Sequence, residues 1–247
     1  MPISPIFDST HHKDFEVNHS QIQPNGFLKI TELFNMFQLT AAEHAEFGGI
    51  SFVDLQTNNQ AWVLSKMRVE IKNLPKMRDK ISVKTWIVNL ENSRSLRGMF
   101  VFCNKEIIAS TETLWVILNT QKRRPETLAL AHDHFEKYPE NFANSKRVES
   151  IVFENEMNCI LNKKVVFSDL DLVNHVNHIK YLEWCLDILH TDILLKNKIK
   201  SLDLNYLSEL VLNDEFDIKS NVNGELHQFL ISKNSTNCFG LQISCSE

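Results

Sequence analysis

Glycine is scarce in this chain. It has six glycines in 247 residues, and none falls in a loop that could cradle a phosphate, so a nucleotide site has no support. The five cysteines (Cys103, Cys159, Cys185, Cys238 and Cys245) are odd in number and form no Cys-x-x-Cys pair. That argues against a disulfide framework and a zinc ribbon, and for reduced thiols in a cytoplasmic protein. No apolar run approaches the length needed to span a bilayer, and Met1 to Thr10 lacks the basic and apolar regions of a secretory signal. Basic charge is not in excess either. The formal net charge is −5, which excludes a generally basic nucleic-acid binder. No metal or cofactor is expected.

What the chain does have is hydrophobic patterning, laid out twice. Phe27 to Phe47 carries Leu28, Leu33, Phe34, Phe37 and Leu39 without internal Gly or Pro, and reads as an amphipathic helix ended by Gly48-Gly49. Alternating segments then predict strands over 61–71, 81–87, 98–103 and 107–118. The second half repeats the order, with a helix over 177–190 and strands over 201–212, 215–221, 227–232 and 238–245. A shift of 135 positions pairs Val69-Glu70-Ile71 with Leu204-Asn205-Tyr206, and Asp79 to Lys84 with Asp214 to Lys219, without a gap. The helices need a larger shift, which places an extra loop in the first half around Gly48 to Asn59. The polar stretch between the halves suits a connection over the surface.

The most informative stretch runs from Ser168-Asp169-Leu170-Asp171 through Val173, Asn174, His175, Val176, Asn177 and His178 to Tyr181. It sets a carboxylate, an amide and an imidazole within five residues, just ahead of a helix. Such groups can cap the helix, whose unpaired N–H groups and positive dipole end also suit a developing oxyanion. This run resembles the catalytic segment of the acyl-ACP thioesterases, whose pattern is Asp-x-Asn-x-His-Val-Asn-Asn-x-x-Tyr. The resemblance extends to Trp62-Val63-Leu64-Ser65-Lys66-Met67, Trp115-Val116, Arg123-Arg124-Pro125 and Leu204-Asn205-Tyr206-Leu207-Ser208-Glu209, all in the family's order.

The resemblance implies an α+β fold of two tandem hot-dog domains, each a long helix wrapped by an antiparallel β-sheet. The expected division is an N-terminal domain over 1–130, a linker over 131–148 and a catalytic C-terminal domain over 149–247. It also implies hydrolysis of a long acyl thioester presented by acyl carrier protein, with no cofactor. Two hot-dog copies in one chain would complete a site without dimerisation, and a homodimer of such chains is compatible with the sequence. An acyl-CoA thioesterase of the same fold and a non-catalytic acyl-binding protein are the competing readings.

Carried over by position, Asp171 and His175 match the motif, and Glu209 matches the glutamate of the facing strand. Hydrolysis needs a base and a donor for the carbonyl oxygen. Glu209 is the expected base, Asp171 orients it or shares its proton, and His175 positions substrate or water. Backbone N–H groups at the helix start would hold the oxyanion. The family's asparagine falls at Val173, which cannot donate a hydrogen bond. Either Asn174 takes over through a local shift, or Asp171, His175 and Glu209 work without it. Where a nucleophilic cysteine has been placed in this family the chain has Leu210, so direct attack by water is expected. Leu74 stands opposite Glu209 at the 135 shift, leaving the first copy without a base, and His44 reads as an ordinary helix residue. Phe34, Phe37, Trp62, Leu64 and Met67 are candidate walls for an acyl chain, and Asn177 a substrate contact. Lys122-Arg123-Arg124 and Lys163-Lys164 could meet an acidic carrier.

Overall fold

The computed structural model describes residues 3–153 and 156–246. The chain forms two compact units, residues 1–148 and 149–247.

The first unit opens with β1 (Thr10–Glu16), a 3-10 turn at His19–Gln21 and α1 (Ile30–Phe47). The positions α1 buries, among them Leu33, Phe34, Phe37, Ala41, His44 and Ala45, recur every three or four residues, so one stripe faces the sheet. Gly48 ends the helix by donating its N–H to the His44 carbonyl, and Gly49 follows in the left-handed region at φ 70°. The stretch around Gly48 to Asn59, expected to be an extra loop, contains α2 (Phe52–Gln56), capped reciprocally by Ser51 and Asp54, but it is no addition: the second half has a stretch of equal length, with a helix at Thr191–Leu195, in the same place. Then come β2 (Gln60–Ile71), β3 (Lys80–Glu91), β4 (Arg94–Cys103), β5 (Glu106–Asn119) and the two-residue β6 (Arg124–Pro125). The sheet is antiparallel in the order β1-β3-β4-β5-β2, with β6 on β5.

The expected linker is instead part of this unit. Phe135 is 2% exposed and packs with Ala45, Ile50, Ile87, Leu90 and Ile117. It fits because residue 48 is glycine: a Cβ there would lie 2.0 Å from the Phe135 ring. The Trp86 indole also donates to the Asn141 carbonyl at 2.8 Å. Apolar burial, more than the polar composition of the stretch, decides where it lies.

The second unit repeats the plan with β7 (Asn158–Lys164), a 3-10 turn at Phe167–Asp169, α3 (His178–Leu186), α4 (Thr191–Leu195), β8 (Ile199–Tyr206), β9 (Glu215–Asn223), β10 (Leu226–Lys233) and β11 (Thr236–Cys245). Its sheet order, β7-β9-β10-β11-β8, is that of the first unit element for element. Each unit is a helix packed on an antiparallel sheet, the hot-dog arrangement. Two expectations need correction. The helix expected to reach residue 190 stops at Leu186, and the strand expected to reach residue 212 stops at Tyr206. Glu209 therefore stands in the extended segment after β8.

Candidate active site

The loop from Leu170 to Asn177 is held by backbone hydrogen bonds that the first unit duplicates. Asp171 N–H donates to the His175 carbonyl at 2.8 Å, Val176 N–H to the Leu210 carbonyl at 2.9 Å, and Asn177 N–H to the Asp169 carbonyl at 2.8 Å. In the first unit Gln23, Leu28 and Lys29 donate to Phe27, Pro75 and Gln21 in the same way. The loop repeats at a shift of 148 and the facing segment at 135.

This scaffold brings His175 and Glu209 together. His175 pairs with Val211 in an isolated bridge, so its side chain stands beside Glu209. His175 Nδ1 lies 3.4 Å from Glu209 Oε1, and both side chains are 30% exposed. The backbone next to Glu209 is fixed from the core. Leu210 N–H donates to the Tyr181 hydroxyl oxygen at 3.0 Å, and burial pushes the Tyr181 hydroxyl up, keeping it a neutral phenol. Tyr206 in turn donates to the His178 carbonyl at 3.3 Å.

Asp171 joins the site through its backbone-binding oxygen. Oδ1 accepts Val173 N–H at 2.9 Å and His175 N–H at 3.1 Å. At the equivalent place in the first unit, Asn25 Oδ1 accepts Phe27 N–H at 3.1 Å. Asn25 corresponds to Val173 at the 148 shift, and Phe27 to His175. Asp171 has thus taken over the turn-fixing bond that an amide at position 173 would make. Asp171 also acts on His178. Burial drives the His178 imidazole down to about 4, while the Asp171 charge pulls it the other way. His178 was not among the residues picked from the sequence; its signal was its place directly after the motif amide.

Asn174 occupies the left-handed region at φ 63°, which Asn tolerates better than most residues, and its first-unit counterpart is Gly26 at φ 82°. Its N–H donates to the Asp171 carbonyl at 3.2 Å. The conformation accounts for an asparagine here. Asn177 is the cap of α3: its Oδ1 accepts Ile179 N–H at 3.0 Å, and its carbonyl accepts Lys180 N–H at 2.8 Å. Cys185 is fully buried inside α3, and burial pushes its thiol up, so it is no nucleophile.

Of the five candidate wall residues, Trp62 lines a cavity of about 370 Å³ in the first unit, together with Ala41, Ala45, Ile50, Ile87 and Trp115 among others. Phe34, Phe37, Leu64 and Met67 are 1–7% exposed and lie outside that lining.

The profile of the Acyl-ACP thioesterase N-terminal domain matches residues 8–138, and that of the C-terminal domain residues 153–244. The chain belongs to the acyl-ACP thioesterase family. A chloroplastic palmitoyl-acyl carrier protein thioesterase of Cuphea hookeriana is 25% identical over 211 residues, covering 80% of this chain and 51% of its own length. The chain thus spans about half the length of such curated relatives. An acyl-ACP thioesterase structure from Bacteroides thetaiotaomicron superposes with a TM-score of 0.85 at 23% identity, over 96% of this chain and 98% of that one. The 12:0-ACP thioesterase of Umbellularia californica gives 0.80 at 20% identity, over 98% of both. At these identities the superpositions establish the double hot-dog fold for this thioesterase family member. No described helix is long and apolar enough to cross a membrane, and no described cluster of His, Cys, Asp and Glu could hold a metal.

Proposed function

We propose that the second unit hydrolyses long-chain acyl-ACP to free fatty acid and carrier protein. The observation that carries this reading is the His175–Glu209 contact at the mouth of the capped loop, in a chain of this family. A half-exposed carboxylate beside an imidazole is a base within reach of water. Water attacks the thioester carbonyl carbon as Glu209 accepts its proton. The carbonyl electrons move to oxygen, return to re-form the C=O, and expel the pantetheine thiolate, which takes the proton back. His175 holds Glu209 and the water in line.

Asn177 has taken the Ile179 and Lys180 N–H groups, so we assign the His178 N–H, at the positive end of α3, to the developing oxyanion. Asp171 acts as a positioning residue through the His175 backbone. The five free cysteines support the reducing cytoplasm as the compartment.

The test is hydrolysis of dodecanoyl- and hexadecanoyl-ACP, and of the matching CoA esters, by the wild type and Glu209→Gln. The substitution keeps the volume and removes the proton acceptor, so turnover should fall on the order of 10²-fold or more. Full turnover in Glu209→Gln would move the base elsewhere. A wild type that binds acyl-ACP without cleaving it would make the chain an acyl-binding protein.

A further inference from the structure

The face that α3 turns inward starts on two polar side chains. At the equivalent positions of the first unit stand Ile30 and Leu33, 6% and 0% exposed, and both are ordinary core. In the second unit they are His178 and Tyr181. Three positions apart on a helix, the two side chains share one face, and both rings meet Tyr206, with centroids 6.0 and 6.2 Å away. Tyr181 shows what this face looks toward. Its hydroxyl oxygen accepts the N–H of Leu210, the residue after Glu209, at 3.0 Å. Burial lowers the His178 imidazole to about 4 against the Asp171 charge. Burial raises the Tyr181 hydroxyl, and the Glu209 and Asp171 charges add to it. Both groups therefore lie within the field of the carboxylates of the site.

The fold makes no use of the His178 ring. The His178 backbone carbonyl accepts the Tyr206 hydroxyl at 3.3 Å, but the imidazole makes no hydrogen bond among the described residues. Glu112 Oε2 is the one described side-chain polar atom that is both sealed from solvent and without a partner. The ring nitrogens of His178 therefore open onto accessible space. Neutral at ordinary assay pH, the ring has one N–H to donate and one lone pair to accept with. A polar ring on a core-facing stripe is unfavourable when nothing bonds it, and Ile30 shows that an apolar side chain fits the same frame. The ring is thus placed for a partner that arrives with the substrate.

This chain breaks the family's pattern, Asp-x-Asn-x-His-Val-Asn-Asn-x-x-Tyr, at two places that complement each other. Val173 lacks the amide of the first asparagine, and His178 puts an imidazole where the pattern has its last one. We propose that His178 is a further catalytic residue, whose ring N–H joins its own backbone N–H on the thioester oxygen and supplies the donor missing at Val173. Negative charge grows on that oxygen as water attacks, so a donor fixed beforehand stabilises the transition state more than the bound ester. A neutral imidazole suits this task, because it polarises the carbonyl without giving up a proton.

The proposal rests on the second unit being hydrolytic, and the test separates the two. Hydrolysis of dodecanoyl-ACP is followed for the wild type, Glu209→Gln, His178→Leu, His178→Asn and the double variant Val173→Asn with His178→Leu. His178→Leu should lower kcat about 10²-fold and leave KM within about threefold, because the lost bond forms in the transition state. His178→Asn keeps a donor and should stay within about tenfold of the wild type. Adding Val173→Asn to His178→Leu should restore at least about tenfold, although it adds nothing to the wild type, where the donor's place is filled. A loss of packing alone would not be repaired from position 173. Wild-type turnover in His178→Leu, or one and the same loss in His178→Leu, His178→Asn and the double variant, overturns the proposal. Full activity in Glu209→Gln, with the expected pattern at His178, would move the base and leave the donor standing. A wild type that cleaves nothing overturns both.

Discussion

Acid should destabilise the first unit through His44. Burial and the neighbouring Arg97 charge drive this imidazole down to about 2, from its ordinary 6.5. Between those values the unfolded chain binds a proton that the folded chain refuses. Stability therefore rises with pH across that window, is complete above about 6.5, and is lost as the pH falls. Well below 6.5 each pH unit is worth about 1.4 kcal/mol, so lowering the pH from 6.5 to 4.5 removes about 2 kcal/mol through this residue. That is a large share of the roughly 5–15 kcal/mol by which domains are stable. His44→Gln keeps an acceptor for Arg97 but cannot titrate. Urea unfolding of both proteins at half-unit steps from pH 7 to 4.5 isolates the effect, because His178 and every carboxylate are common to both. The wild-type stability should fall more steeply than that of the variant, by about 1.4 kcal/mol per unit. Parallel curves would show that His44 takes up its proton as readily in the folded chain as in the unfolded one, and would refute a neutral His44 held 2.8 Å from the Arg97 guanidinium.

Other substitutions test local geometry. Asn174→Gly should leave turnover intact and Asn174→Ala should cost about 1 kcal/mol of stability, since φ 63° is the demand at that position; loss of activity in the glycine variant would assign the amide a chemical role. Val173→Asn should fold normally, the side chain being 41% exposed, and should leave turnover unchanged if Asp171 already fixes the turn. Faster hydrolysis would show that the amide acts on substrate. Gly98→Ala places a Cβ 2.6 Å from the Trp86 ring across the β3–β4 pair and should cost about 1–3 kcal/mol by thermal unfolding. An unchanged melting temperature would mean that the indole moves freely.

Much of this fold was legible as alternation. β2 to β5 and β9 to β11 appear where apolar residues alternate, because those strands have one face in the core. β1 and β7 were not legible: Thr10–Glu16 is largely polar, and six of the seven residues of Asn158–Lys164 are exposed. They are edge strands, defined by pairing to β3 and β9 and not by burial. Within the site, His175 and Glu209 were legible only through family resemblance, since a histidine and a glutamate 34 positions apart leave no periodic mark. The turn-fixing role of Asp171 was hidden because it depends on what its counterpart Asn25 does in the other copy. Arg97 left a faint trace. It shares strand parity with Met99 and Val101, 1% and 0% exposed, so its side chain had to point inward, yet an arginine in a strand is ordinarily taken as solvated.

The two copies keep step at a shift of 148 up to the start of their helices and at 135 once the second strand of each is under way. The thirteen residues of difference fall in two places: α1 has 18 residues against 9 in α3, and β2 has 12 against 8 in β8, while α2 and α4 match at five residues each. Ala41, Ala42, Ala45 and Glu46, four residues of the cavity wall, lie in the additional turns of α1. One wall of the cavity is thus an extension of a helix in one copy, while the His175–Glu209 loop rests on hydrogen bonds that both copies share. The cavity can therefore drift through substitutions in the lengthened helix while the loop stays fixed by the duplicated frame, and relatives of this chain should diverge in the cavity sooner than in the loop.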